Sequence, residues 1–256
     1  MFDDVKVEAV FHQGACSDTM EYDGRYMMTN NYTYSKELFN FCTKRRIPFL
    51  YASSAATYGD STVFVEAREN ENTLNVYGYS KLQFDRHVQR VAHTLKSTVV
   101  GLRYFNVYGP REVHKGKMAS QAYQLRNQVL EQGHCTLFGA SHGYDEGGHL
   151  RDFVWVGDVV DVNFHFAFSE QPVQAVVNCG CGKARSFRDV GDNVVRCLKK
   201  GEVRFKEMPD VLKDKYQAYT CADTTQLRKA GYTKEFTALE DGITAYMNWL
   251  DAHPQG

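Results

Sequence analysis

The chain has 256 residues, long enough to bury the core of one large α/β domain or of a core domain carrying a smaller lobe. Its 30 lysines and arginines almost balance 31 aspartates and glutamates, which excludes the broad basic field that nucleic acid or an anionic membrane surface requires. No apolar run approaches the roughly 18 residues of a membrane span, and the start MFDDVKVEAV lacks the basic and apolar regions of a signal peptide, so the sequence reads as cytoplasmic.

Strand-like apolar runs alternate with amphipathic stretches through the first two thirds, the pattern of βαβ units around a parallel sheet. Val7 to Phe11 (VEAVF) reads as a buried strand, followed by the loop His12-Gln13-Gly14-Ala15-Cys16-Ser17. A helix is expected over about Tyr22 to Arg46, with Tyr34, Leu38, Phe41 and Cys42 as its apolar residues, and Pro48 stops it. Pro48 to Ser53 (PFLYAS) is the next strand, and its small polar end, Ser53-Ser54-Ala55-Ala56, falls where open α/β sheets place ligands. A long charged loop from Gly59 to Asn75 leads into a helix from about Val76 to Leu95. Thr98 to Tyr104 (TVVGLRY) forms a third strand, left through a sharp turn at Gly109-Pro110.

From about Arg111 the rhythm loosens. A helix is expected near Met118 to Gln132, then a Gly/His-rich stretch from Gly139 to His149, a strand from Arg151 to Val156 and a short strand from Val176 to Cys179. Ser186 caps a helix reaching about Lys200, and two more helices lie near Thr224 to Ala230 and Leu239 to Leu250. The division that follows is a Rossmann-type domain over 1–110 and mainly a substrate-binding lobe over 111–256, some of whose segments return to the core.

The seven cysteines, Cys16, Cys42, Cys135, Cys179, Cys181, Cys197 and Cys221, are odd in number and scattered through apolar stretches, which speaks against a disulfide framework. Cys179-Gly-Cys181 lacks the spacer and the second ligand pair of a metal site. The nine histidines never fall at a ligand spacing, so no metal is expected.

Tyr77-Gly-Tyr-Ser-Lys81 places a phenol and an ammonium four residues apart, on one face of the expected helix. A cation beside a phenol favours the phenolate and lowers its pKa toward the working range of a general acid/base, as reversible oxidation of an alcohol requires. Ser54 is placed to hydrogen-bond the reacting oxygen. With Arg103-Tyr104-Phe105-Asn106-Val107-Tyr108-Gly109-Pro110 ending the next strand and Arg151-Asp152-Phe153-Val154-Trp155-Val156-Gly157-Asp158-Val159 further on, the chain resembles the extended short-chain dehydrogenase/reductases that bind NAD(P) and modify nucleotide sugars.

Within that group, Phe11 to Ser17, Tyr26 to Tyr32, Asn75 to Lys81 and the His114-Lys115-Gly116 loop are similar to the ADP-L-glycero-D-manno-heptose 6-epimerases. The resemblance implies epimerisation at C6 of an ADP-heptose through transient oxidation and re-reduction by NADP, with NAD as the alternative, for the lipopolysaccharide core. It implies Tyr77 and Lys115 as the two acid/base groups, Lys81 on the nicotinamide ribose and Ser54 at the reacting oxygen. It further implies Gln13, Gly14, Ala15, Cys16, Ser17, Asn30, Lys81, Val107 and Lys115 as cofactor-lining residues. Ser54, Asn106, Lys117, Gln124, Phe138, Ser141, Arg151 and Tyr216 fall among the substrate contacts, with Arg151 as the natural diphosphate partner. A homo-oligomer is the implied assembly.

The sequence departs from the family's pattern in several places. Lys117 and Gln124 stand where a Ser and a His are expected, and His142 to His149 is an insertion before Arg151. No Gly-x-Gly-x-x-Gly follows any strand, and the chain starts where the family's fourth sheet strand is expected. The expectation is therefore a partial Rossmann-type parallel sheet whose first strands are missing, roughly sixty residues in all, with cofactor affinity collapsed and no NADP retained on purification, and with VEAVF as an exposed edge. Two further readings stay open: an inactive remnant that binds a nucleotide sugar, and an epimerase or dehydratase of another nucleotide sugar.

Overall fold

The computed structural model describes residues 6–213 and 216–253. Its first strand, β1 (Val10–His12), starts later than the run Val7 to Phe11, because pairing with a neighbour begins only at Val10. A helical run follows: α1 (Gly24–Met28), a π-helical turn over Thr29–Thr33, and α2 (Tyr34–Lys44). Asp23 caps it, its carboxylate accepting from the Tyr26 amide at 3.0 Å. The chain turns back at Arg46, whose φ is 56°, ahead of β2 (Phe49–Ser54). Next come α3 (Val76–Val91), capped by the Asn75 side chain at 2.7 Å from the Gly78 amide, and β3 (Val99–Tyr104).

The remaining elements in chain order are β4 (Asn106–Tyr108), α4 (Gln121–Gln132), β5 (His134–Phe138), β6 (Leu150–Trp155), α5 (Val156–Ala167) and β7 (Gln174–Cys179). They are followed by β8 (Ala184–Ser186), α6 (Phe187–Leu198), β9 (Glu202–Lys206), α7 (Asp210–Lys213), α8 (Thr225–Lys229) and α9 (Leu239–Ala252). Among the described residues no helix is long and apolar enough to cross a membrane. The chain forms two compact units. One holds the residues up to Tyr104 with Val160–Cys179 and Asp223–Thr233; the other holds Phe105–Val159, Gly180–Ala222 and the residues from Lys234 on.

The first unit is built on a sheet in the order β1-β2-β3-β7, parallel throughout. The continuous apolar runs in β2 and β3 reflect burial on both faces, as parallel sheets require. Phe39 and Cys42 of α2 and Phe84 and Val88 of α3 close over Phe49, Tyr51 and Val99. Each such side chain taken from water contributes about 1.5–3 kcal/mol. Gly101 is required by that packing: a Cβ there would sit 2.3 Å from Tyr51 Cζ. The parallel register brings Ser54 of β2 level with Tyr104 of β3 and with Cys179 of β7, so the carboxyl ends of three strands open at one edge.

The second unit combines a sheet in the order β4-β6-β8 with the parallel pair β5 and β9. Helices α4, α6 and α9 cover them through Leu125, Val129, Val190, Val194, Ile243 and Leu250. Ser186 caps α6 as expected and forms a reciprocal capping box with Asp189.

Candidate active site

In the first unit the helix α3 starts beside the end of β2, which sets Tyr77 near Ser54. The Tyr77 phenol is pushed above its ordinary pKa by burial, with the Ser54 hydroxyl pulling it down and Cys16 adding to the rise. This differs from a phenolate stabilised by Lys81. The Lys81 ammonium lies 5.9 Å from the Tyr77 ring centre and donates to the Ala52 carbonyl at 2.8 Å, so the donor it uses is directed at the strand and not at the phenol. Burial lowers Lys81 to about 8, against a smaller opposing pull from Asp85 one turn on. Among the described residues only one of its three donor positions is used, which leaves the others for a ligand's hydroxyls.

The loop after β1 lies against this cluster. The backbone of Cys16 is clamped by Asn31, whose Oδ1 accepts from the Cys16 amide at 2.8 Å and whose Nδ2 donates to the Cys16 carbonyl at 2.9 Å and to Ser80 Oγ at 3.0 Å. Asn31 therefore ties the loop to the helix that carries Tyr77 and Lys81. Its neighbour Asn30, the residue expected to line the cofactor, is half-buried in the π-helical turn and donates to the Tyr26 carbonyl at 2.8 Å.

Gln13 is engaged on both sides: its Nε2 donates to Asn163 at 3.2 Å and its Oε1 accepts from the Tyr104 hydroxyl at 2.9 Å. Gly14 and Ser17 stay exposed, Ala15 is half-buried, and a Cβ added at Gly14 would meet nothing within 4 Å. His12 is buried just before, its Nε2 2.7 Å from Ser35 Oγ. Because Ser35 donates to the Asn31 carbonyl, its oxygen must accept from His12. Burial first, and then Lys81, lower His12 to about 4, so it stays neutral at ordinary pH.

A buried ionic cluster underlies Lys81. Asp85 accepts from Tyr51 Oη at 2.9 Å, Ser53 Oγ at 2.8 Å and Arg103 Nε at 2.9 Å, and Arg103 also donates to Glu71 at 2.5 Å. Asp85 and Arg103 are both fully buried. Neither was marked as functional by the sequence pattern; the signal was Asp85 four residues after Lys81, again on one helical face.

The second unit carries the other named residues in two groups. Lys115 and Lys117 lie on an exposed turn over Val113–Met118, in which Gly116 takes a φ of 54°. Glu112 anchors that turn: its carboxylate accepts from Ser120 N at 2.7 Å, Ser120 Oγ at 2.5 Å and Tyr246 Oη at 2.8 Å. Gln124 Nε2 donates to the carbonyls of Lys117 and Ala119, both at 2.8 Å, so this side chain braces the turn. Asn106 and Val107 lie on β4, with Asn106 exposed.

In the other group the Tyr216 ring meets Phe138 at 5.9 Å and His149 at 4.9 Å between centres, and the Arg151 guanidinium lies 5.2 Å over it. Arg151 is buried, donates to the Leu150 carbonyl at 2.8 Å, and among the described residues pairs with no carboxylate. Ser141 bonds to His149 at 2.9 Å. A buried guanidinium without an acid, framed by aromatic rings, is suited to an anion attached to a flat group.

Residues 1–180 match the model of the NAD dependent epimerase/dehydratase family. The structure is similar to the ADP-L-glycero-D-manno-heptose-6-epimerase of Helicobacter pylori, with 32% identity and a TM-score of 0.81 over 96% of this chain and 73% of that one. It also shares its fold with a UDP-N-acetylglucosamine 4-epimerase of Methanobrevibacter ruminantium (21% identity, TM-score 0.82, 96% of this chain and 77% of that one). The UDP-glucose 4-epimerase of Thermus thermophilus, solved in complex with NAD, shares it as well (22% identity, TM-score 0.77, 98% and 80%). The chain belongs to the NAD dependent epimerase/dehydratase family.

Proposed function

We propose that this protein inverts a carbinol centre of a nucleotide sugar, and that the sugar is ADP-glycero-manno-heptose, epimerised at C6 to supply the lipopolysaccharide core. The observation that carries the reaction type is the half-buried Tyr77 beside Ser54 with a buried Lys81 one turn on. The likeness to the Helicobacter pylori enzyme at 32% identity, together with the His114-Lys115-Gly116 turn, supports the heptose.

A nicotinamide dinucleotide, NADP in this reading, supplies a hydride acceptor and donor when bound. The residues here fit its nicotinamide-ribose end: Lys81 has donors to spare, and the loop Gln13 to Ser17 lies at the carboxyl end of β1 with open space at Gly14. Tyr77 removes the hydroxyl proton as the alcohol becomes a ketone, and Ser54 holds the reacting oxygen. Inversion needs a proton donor on the opposite face, the role given to Lys115. Arg151, Tyr216, Phe138 and Ser141 hold the ADP portion.

The test is proton NMR of ADP-D-glycero-D-manno-heptose incubated with the protein and NADP. Tyr77→Phe and Lys115→Met should each lower epimerisation by roughly two to four orders of magnitude. Near-normal turnover in either variant removes the two-base assignment. Lys117 and Gln124 favour a second reading, another nucleotide sugar, because Gln124 is spent on the backbone of the turn. Turnover of UDP-sugars with none of the heptose would select it.

A further inference from the structure

The segment Ser141 to His149 carries two imidazoles that the acid/base chemistry does not use. Ser141 Oγ lies 2.9 Å from His149 Nε2 and 3.2 Å from His142 Nδ1, while His142 Nε2 lies 2.7 Å from the Lys213 carbonyl oxygen. These contacts fix where the protons sit. A carbonyl only accepts, so neutral His142 carries its proton on Nε2. Its Nδ1 is then a lone pair that takes the Ser141 hydroxyl proton, and the Ser141 oxygen accepts from His149 Nε2. One relay runs from His149 through Ser141 and His142 to the backbone of Lys213.

The same rings border Arg151. His149 and His142 lie 4.9 and 6.0 Å from Tyr216 between ring centres, and Arg151 lies over that tyrosine. The groups facing the imidazoles are each other, Ser141, Tyr144, Tyr216 and Arg151. The ammonium of Lys213 is taken by Asp210 at 2.8 Å and Glu207 at 3.8 Å. Asp145 and Glu146, the acids of the segment itself, are exposed, and among the described residues no carboxylate bonds to either ring. Burial first, then His142 and Arg151, hold His149 below the ordinary imidazole range against the opposing pull of the Ser141 backbone. An arginine and two imidazoles, to which no carboxylate bonds among the described residues, make a charge set that an anion completes. Its negative charge raises the proton affinity of both rings. With a second proton on His142, Nδ1–H points at Ser141, whose hydroxyl turns and presents its own proton outward.

We propose that Ser141, His142 and His149 form a proton-accepting extension of the Arg151 anion site, so that a nucleoside diphosphate sugar binds with uptake of a proton from solvent. The proposal rests on the nucleotide-sugar reading above. ADP-glucose is the probe, since its diphosphate diester does not titrate near neutral pH. Calorimetry in buffers of different ionisation enthalpy should show proton uptake, and Kd should tighten roughly tenfold from pH 8 to pH 6. His142→Asn suits the left-handed backbone at φ 54° and should flatten most of that slope. In the unmodified protein, NMR titration of the His142 ring should show a higher midpoint when ADP-glucose is saturating. A pH-independent Kd without proton uptake, or an unmoved midpoint, overturns the proposal and leaves the nucleotide-sugar site standing. Failure to bind ADP-glucose at millimolar concentration overturns both.

Discussion

Asp85→Asn is expected to cost about 3 kcal/mol of folding stability. The carboxylate accepts three hydrogen bonds at 2.8–2.9 Å from Tyr51, Ser53 and Arg103, with no solvent to replace any of them. Asparagine keeps one acceptor oxygen and puts an NH2 donor where the other stood. Facing the oxygen to Arg103 and Ser53 sets the NH2 against the Tyr51 hydroxyl, which must rotate to accept. The larger loss is electrostatic. Breaking a buried pair costs about 3–5 kcal/mol because the remaining charge is left uncompensated. Glu71 still holds Arg103, which places the expected loss at the lower end of that range. Urea denaturation followed by far-UV circular dichroism measures it, and Asp85→Asn combined with Arg103→Met should lose less than the two single changes added together. A loss below about 1 kcal/mol for Asp85→Asn, or strict additivity, would refute the view that this pair is a coupled buried unit.

Lys81 supplies a pH test. Its pKa of about 8 in the fold against an ordinary 10.5 means that the unfolded chain binds more protons between those values, so stability rises with pH across that window. The difference, 10.5 − 8 = 2.5, corresponds to about 3 kcal/mol, fully felt below pH 8 and fading toward pH 10.5. Lys81→Met should lose that rise in denaturation midpoint between about pH 8 and pH 10; a variant that keeps the same slope contradicts the assignment. Gly101→Ala forces a methyl to 2.3 Å from the Tyr51 ring, in the layer that also orients Asp85, and should cost about 1–3 kcal/mol. An unchanged thermal midpoint for Gly101→Ala would show that the ring yields freely.

Much of the first unit was legible in the chain. The apolar run from Phe49 and the run from Val99, separated by a capped amphipathic stretch, became β2, β3 and α3, and the pair Tyr77 and Lys81 fell at the head of α3 as its spacing required. The strand β9, with the alternating EVRFK pattern, and β5 were not marked. Each is five residues long and stable only through its partner, which lies more than sixty residues away in the chain. The structural part of Asn31, which clamps the Cys16 backbone, was not marked for a related reason: the π-helical turn breaks the period on which facing is judged.

Periodicity, caps and the Tyr/Lys motif, which depend on neighbours within one or two turns, determined the parallel sheet, the order of its main elements and the place of Tyr77 and Lys81 at the head of α3. Only the tertiary structure decided what each site residue meets. It turned Lys81 onto the Ala52 carbonyl, buried Asp85 against Arg103, let Asn31 clamp the Cys16 loop, and set two histidines around one serine beside Arg151. Those outcomes depend on burial and on hydrogen-bond partners brought together from separate segments. A local pattern carries no record of either.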